Sequence, residues 1–257
     1  MTLEYDLSIV GPALLAGLLV LSTHVPLGRK VLERGIIFID LAIAQVAGLG
    51  VVVADALGKE AHGWEVQLAA ISASMLAAFG LYGCEQRWPD ILEALIGVFF
   101  ILAATASILL LSNNPHGGEH LQNLLVGQIL WVDYRQLLPV TAIYSLILGI
   151  WFGYGDRLPR MAFYLIFAIA ITLSVQLVGV YLVFTSLIVP ALASRQLSVK
   201  WQIPVACLVG GFAYLSGIGL SMIYDYPTGA MIVWMMAVIA AIAAGIISAM
   251  RVRDRSS

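Results

Sequence analysis

The sequence predicts an all-α, polytopic integral membrane protein, with eight or nine transmembrane helices and one short re-entrant or interfacial helix. Three observations carry that expectation. Of the 257 residues, 61% are hydrophobic and only 11% are charged, against roughly 25% charged in soluble domains. Apolar runs long enough to cross a bilayer recur from end to end. Lys and Arg gather in alternate connections between those runs. A net charge of −2 argues against nucleic acid as a partner. Cys84 and Cys207 have no ligand-like spacing and read as small buried apolar residues. No basic region precedes the first apolar run, so no cleaved signal peptide is expected.

A helix needs about 20 apolar residues to cross the hydrocarbon. In chain order, residues 8–25, 36–57, 66–83 and 91–112 each satisfy this. Residues 121–132, "LQNLLVGQILWV", are too short and read as the re-entrant or interfacial helix. The run 137–154 is a further span, whereas 161–194 is too long for one. With "SVQLVG" near its middle, it is either two short helices or one span plus a re-entrant piece. Pro190 within it removes a backbone donor and is expected to break the helix. The last spans are 201–223 and 228–250. Between them "DYPTG" reads as a tight turn, with Asp225 accepting N–H bonds, Pro227 fixing φ and Gly229 permitting the reversal. No repeat or soluble domain interrupts the chain, and residues 1–257 read as a single transmembrane domain.

Orientation follows from the basic residues. With the N-terminus outside, eleven of the thirteen Lys and Arg residues fall inside, and only Lys59 and Arg135 fall outside. That bias requires 161–194 to make two passes and puts the C-terminus in the cytoplasm. A chain with almost no extramembrane mass and no GxxxxGK[ST] pattern has nowhere to bind ATP. If it pumps, a partner supplies the energy.

Six blocks along the chain have a further implication: "PLG" at 26–28, Gly50, "EALIGV" at 93–98, "LVGQIL" at 125–130, "LVGVYLVFTSLIVPALAS" at 177–194 and "DYPTGAMIV" at 225–233. In their order and spacing the chain resembles, over nearly its whole length, the permease subunit of the zinc/manganese-type bacterial ABC transporters. The resemblance implies a homodimeric permease, multi-pass in the bacterial inner (cell) membrane. It implies a cytoplasmic ATP-binding subunit, which binds the ATP so that the permease needs no cofactor, and an extracytoplasmic metal-binding protein. The cargo would be a divalent transition metal, zinc first and manganese second, moved by alternating access without catalysis. The alternative, of a different class, is an ATP-independent transporter or channel with Asp40 as its ion or proton site.

The second apolar run carries "FIDLAIAQVAGLG", with Asp40 and Gln45 inside it. The family has an Asp and a His one turn apart in this helix, a spacing suited to a divalent cation. Counted from Gly28 to Gly50, those positions hold Leu41 and Gln45, while Asp40 lies one residue early, about 100° around the helix. The family's later acidic residue is replaced by Gln128, and a histidine of the fourth helix by Ile101. Ionic ligands have been thinned or replaced by amides. A carboxylate within a span is a functional hypothesis by default, so Asp40 is either a pathway residue or a structural group pairing with Arg34 or capping its helix. Gln45 and Gln128 support the pathway or act as interhelical glue.

Imidazole and carboxylate reappear in "SNNPHGGEHLQ", where His116, Glu119 and His120 either capture metal outside or decorate a solvated loop. His62, with Glu60 and Glu65, lies in another outer loop and could join them, while His24 beside Pro26 is expected to hydrogen-bond locally. "HGGEH" also spells H-x-x-E-H, a zinc-peptidase pattern, but its Gly-Gly pair opposes the helix that pattern needs. Not an enzyme is the expectation. The family's longer cytoplasmic stretch, which docks on the ATPase, is reduced here to "GYGDRLPRM", leaving Asp156, Arg157 and Arg160 for that contact.

The basic bias makes a direct prediction. Cysteines introduced at 87, 116 and 157 should react with a membrane-impermeant maleimide in intact cells only at 116. Labelling at 87 or 157 but not at 116 reverses the orientation.

Overall fold

The computed structural model describes the backbone of residues 3–58, 63–112 and 117–256, which form ten α-helices and no strand. Eight of these helices are long and apolar enough to cross a membrane. They are α1 (Leu3–Arg34), α2 (Ile39–Ala56), α3 (Trp64–Arg87), α4 (Leu92–Leu111), α6 (Tyr134–Tyr154), α7 (Arg160–Val178), α9 (Val199–Tyr224) and α10 (Thr228–Ser256). The other two are short: α5 (Gly117–Val126) and α8 (Val180–Ser194). At about 1.5 Å per residue, fifteen residues of α8 reach roughly 22 Å, short of the ~30 Å hydrocarbon. The run 161–194 is divided into two helices, with the break at Gly179 (φ +82°), but by length only α7 can make a pass, not the two that the basic bias required.

The described residues divide into two compact units, each assembled from separate stretches of chain. The first holds residues 1–35, 128–142 and 181–257. Its helices meet through glycines. Gly17 of α1 lies against the ring of Tyr214 on α9, and Gly210 of α9 against Leu21 of α1. Gly28, the glycine of "PLG", backs onto the Leu187 carbonyl oxygen of α8, where any Cβ would collide with backbone. Small residues at such crossings let membrane helices approach closely. Across α8 and α9, the buried hydroxyls of Ser186 and Tyr214 hydrogen-bond at 2.9 Å.

Three expectations are corrected in this unit. Helix α1 does not stop before Pro26 but runs to Arg34, because residues beyond the proline pack on α8 through Gly28. Pro190 does not break α8, which continues to Ser194. The proline costs the Ser186 carbonyl its helical donor, yet Ser186 is tied to Tyr214 and Leu187 to α1, so packing holds the chain helical. In the α9–α10 turn the left-handed residue is Asp225 (φ 55°), while Gly229 already lies within α10. Ser221 secures that turn, its hydroxyl donating to the Tyr226 carbonyl at 2.6 Å with the Thr228 hydroxyl also 2.6 Å away.

The second unit holds residues 36–127 and 143–180. Gly50 lets α2 press against α3, where a Cβ would stand 2.8 Å from the Ala69 carbonyl oxygen. On α6 the Tyr144 hydroxyl donates to the Ala170 carbonyl of α7 at 3.1 Å and also meets the Ser174 hydroxyl. An aromatic group of Tyr82, Trp151, Phe163, Tyr164 and Phe167, with ring centroids 5.6–6.2 Å apart, links α3, α6 and α7. Helix α7 is the most enclosed span, 67% buried, and α2 follows at 61%, against 22% for α4. Asp40 and Gln45 on α2, and Thr172 and Ser174 on α7, are accordingly buried inside protein.

The short helix differs from the expected 121–132. It begins at Gly117, so Gly-Gly opens it rather than preventing it, and it ends at Gly127 (φ +75°). Glycine in the left-handed region is a common helix terminator, and the Gly127 N–H still reaches the Asn123 carbonyl at 2.9 Å. A 3₁₀ turn over Ile129–Trp131 follows. Gly127 and Gly179 lie back to back, such that a Cβ on either would penetrate the other segment's backbone. Two helix breaks are thus stacked on each other.

Gly179→Ala should therefore destabilise the protein by about 2–4 kcal/mol, since it adds a collision to a φ/ψ region that only glycine tolerates. Gly149→Ala, on α6 with nothing near its added methyl, should be neutral or mildly stabilising. Thermal unfolding of the two purified variants in detergent makes the comparison.

Candidate functional site

The entry to α2 is built without a cap of its own. Its N-cap residue is Phe38, which supplies no side-chain hydrogen bond, so the first N–H groups of the helix need partners from elsewhere. Ile39 N–H reaches back to the Ile36 carbonyl at 3.3 Å. A second tether comes from a distant part of the sequence: Oε1 of Glu93, in the first turn of α4, accepts the Ile37 N–H at 2.7 Å.

Asp40 lies in the first turn of α2 and is 1% exposed. Among the described residues neither of its carboxylate oxygens has a hydrogen-bond partner. Asp40 stands inside the first turn, just beyond Phe38 and Ile39, where the nearest donors are the backbone N–H groups of Asp40 and Leu41. The positive end of the helix dipole favours a carboxylate here by about 0.3–1 kcal/mol. Burying an unpaired charge costs several kcal/mol even after relaxation, so the dipole does not offset the burial. A fold with no use for this carboxylate would be more stable without it.

Gln45 is on the same helix and 7% exposed. Five residues at 100° each put it about 140° around α2 from Asp40, so the two share a helix and not a face. Gln128 is exposed, immediately after Gly127, and belongs to the other compact unit. Of the sequence-predicted pathway set, Asp40 and Gln45 are buried on one helix and Gln128 is exposed just beyond the end of α5.

His116 lies outside the described residues, as do the backbones of Glu60 and His62; Glu119 and His120 are in the first turn of α5, with side chains outside the description. Among the described residues no three His, Cys, Asp or Glu side chains group so as to hold a metal ion. His24 is fully buried in α1, ten residues before the helix ends, and its Nδ1 pairs with the Thr23 hydroxyl at 3.2 Å, the local bond expected of it.

The connection between α6 and α7 is a single 3₁₀ turn, Gly155–Arg157, followed by Leu158 and Pro159. Arg157 is exposed, and the Asp156 side chain lies outside the description. Arg160 opens α7 and approaches Glu85 of α3 at 3.9 Å, with its side chain 66% exposed. An exposed pair this long contributes little to stability, so both arginines remain available to a partner surface.

Sequence reading passed over Glu93 and Glu85. Glu93 lies inside the quoted block "EALIGV", where the eye goes to the glycine. The available signal was a carboxylate at the start of an otherwise uncharged span. Its contact with Ile37, 56 positions away, had no signal in the sequence.

Comparison with known proteins completes the description. The profile of a family described as the ABC 3 transport family matches residues 6–155 and 153–247. The high-affinity zinc uptake system membrane protein ZnuB of Haemophilus influenzae is 23% identical over 250 residues, which covers 88% of this chain and 92% of that protein. In fold the chain is similar to the solved structure of PsaBC from Streptococcus pneumoniae in complex with Fab. The TM-score is 0.76 at 19% identity, over 91% of this chain and 90% of that one.

Proposed function

We propose, from the premise that the chain belongs to the ABC 3 transport family, that it is the membrane-spanning permease subunit of an ABC importer for a divalent transition metal, zinc first and manganese second. The observation that carries this reading is the family match along almost the whole chain, on a structure with eight helices able to cross a membrane. Zinc is favoured by what the name of the Haemophilus relative says it takes up. The permease itself carries out no chemistry. ATP is bound by a cytoplasmic partner, a binding protein outside delivers the metal, and two copies of this chain form the pathway.

Within that pathway Asp40 is the residue that meets the cation. It is a carboxylate inside a span, buried, with no side-chain partner among the described residues, and such a group is normally functional. Gln45 and Gln128 offer carbonyl oxygens, which suit hard or borderline cations but hold them less firmly than an Asp–His pair. Capture belongs to His116, Glu119 and His120 on the outer side. Coupling falls to Asp156, Arg157 and Arg160 in the α6–α7 turn.

One observation favours a second reading. The family match comes in two pieces that meet at residues 153–155, where the connection between α6 and α7 is a short turn. If that turn makes no ATPase contact, the protein is an ATP-independent permease with Asp40 as its ion or proton site. Metal uptake into liposomes, with and without ATP and the ATPase subunit, separates the two.

Two variants test the assignments. Asp40→Asn keeps shape and deletes charge. It should cut metal uptake at least tenfold, a loss of about 1.4 kcal/mol, with expression and melting temperature unchanged or improved. A purely structural Asp40 predicts the reverse, poorer stability with normal transport by the surviving protein. Arg157→Glu combined with Arg160→Glu should abolish uptake and weaken co-purification of the ATPase while leaving membrane insertion intact. Normal uptake in that double variant moves the coupling contact elsewhere.

A further inference from the structure

Helix α2 holds the one buried carboxylate assigned to the pathway, yet its first turn is the least self-sufficient part of it. Phe38 provides no cap. Asp40 sits in that first turn, where an untethered helix frays most readily. The tether that reaches this turn from outside is Glu93. Its Oε1 accepts the Ile37 N–H at 2.7 Å, from a residue in the first turn of α4. Its Oε2 is buried and, among the described residues, has no partner. The carboxylate is therefore committed to the backbone just before Asp40, with the Ile37 N–H as its closest donor and the Phe38 N–H beside it.

We propose that Glu93 is a positioning residue for transport: by holding the Ile37 N–H it fixes where α2 begins, and so sets the depth and direction of the Asp40 carboxylate. The inference rests on Asp40 being a pathway residue. Its chemistry is that of a cap supplied in trans. A carboxylate accepting a backbone N–H at a helix start makes a charge-assisted hydrogen bond, roughly twice as strong as a neutral one. Loss of that bond leaves the N–H without its acceptor and releases the first turn. Asp40 is then free to rotate or retreat without any change in the rest of α2, which is held by its packing on α3 through Gly50.

The test uses the full permease with its ATPase subunit in proteoliposomes, and zinc and manganese ions as the probes. Glu93→Ala removes the acceptor and should lower uptake about five- to tenfold, the effect of one lost hydrogen bond at the site. Glu93→Gln keeps an amide oxygen within reach of the Ile37 N–H and should stay within about twofold of the parent, as a neutral acceptor replaces a charged one. Glu93→Asp keeps the charge but shortens the reach by one methylene, so it should resemble Glu93→Ala, and it serves if the alanine variant fails to insert.

Two further arms isolate the route. In an Asp40→Asn background Glu93→Ala should have no additional effect on uptake, since both act on one group. A cysteine at position 40 should react with a membrane-permeant maleimide faster in Glu93→Ala than in the parent or in Glu93→Gln. Equal losses in Glu93→Gln and Glu93→Ala would overturn the proposal and make Glu93 a cation ligand in its own right. Normal uptake per inserted molecule in both Glu93→Ala and Glu93→Asp would also overturn it. So would an additive loss in the Asp40→Asn background. Failure of the Asp40 reading looks different: Asp40→Asn alone transports normally, while the maleimide rates at position 40 still report whether Glu93 sets its exposure.

Discussion

The constraint from which the rest of this structure follows is that hydrocarbon offers a backbone no hydrogen bonds. Every N–H and C=O within the bilayer must find its partner in the protein, so the described chain is helical wherever it can face lipid. Two departures from helix lie where other protein backbone is packed against them. The breaks at Gly127 and Gly179 press on each other, so each covers the polar groups that the other exposes. Two of the prolines inside helices obey the same rule. Pro26 and Pro190 each cost a helical hydrogen bond, and both sit where Gly28 and Leu187 bring α1 and α8 into backbone contact.

The same solvent argument separates the buried polar side chains into two kinds. Tyr144 with Ser174, Ser186 with Tyr214, and Ser221 with Thr228 are hydroxyl pairs whose members satisfy each other across helices or a turn. They fix how helices pack and leave nothing over for a passenger. The carboxylates are different in kind. Asp40 and Glu93 meet only backbone N–H groups near the start of α2, and among the described residues no side chain pairs with either. Hydroxyl pairs add a modest net stability each, while an unpaired buried carboxylate subtracts from it. A sequence selected for stability alone would keep the first group and discard the second.

Much of this was legible in the sequence because hydropathy, glycine and basic residues act locally. The eight long spans and the division of 161–194 follow from length and apolarity, and "PLG", Gly50 and "LVG" proved to mark close helix contacts. The order and spacing of the quoted blocks pointed to the transport family before any contact was known. What was not legible depends on a neighbour. Proline forbids one hydrogen bond but does not say whether α8 will hold α1 together past Pro26, so helix ends there were placed too early. In "DYPTG" the left-handed position went to Asp225, since Ser221 and Thr228 secure the turn around it and leave Gly229 free to start α10. The "HGGEH" segment reads as non-helical from propensity. Yet Glu119 and His120 stand in α5, as the apolar residues that follow them outweigh two glycines at a helix start.

On the proposed reading, the thin ligation around Asp40 has a physical logic in the requirement to let go. A site that surrounds a cation with charged and imidazole ligands gains affinity, and among related sites higher affinity appears mostly as slower release. Each added 1.4 kcal/mol of ground-state hold is about a tenfold slower exit unless the opening motion removes it. A single carboxylate keeps enough negative charge to make the apolar interior passable while limiting that hold. Selectivity then has to be exercised before the cation reaches α2, either by the delivering protein or by groups at the outer surface. Under these conditions the geometry of the one carboxylate matters more than it would in a multidentate cage, because no second ligand corrects an error in its position. A group that fixes the start of α2 thereby becomes part of the transport machinery without touching the metal, and Glu93, bound to the Ile37 N–H from α4, stands where that task must be done.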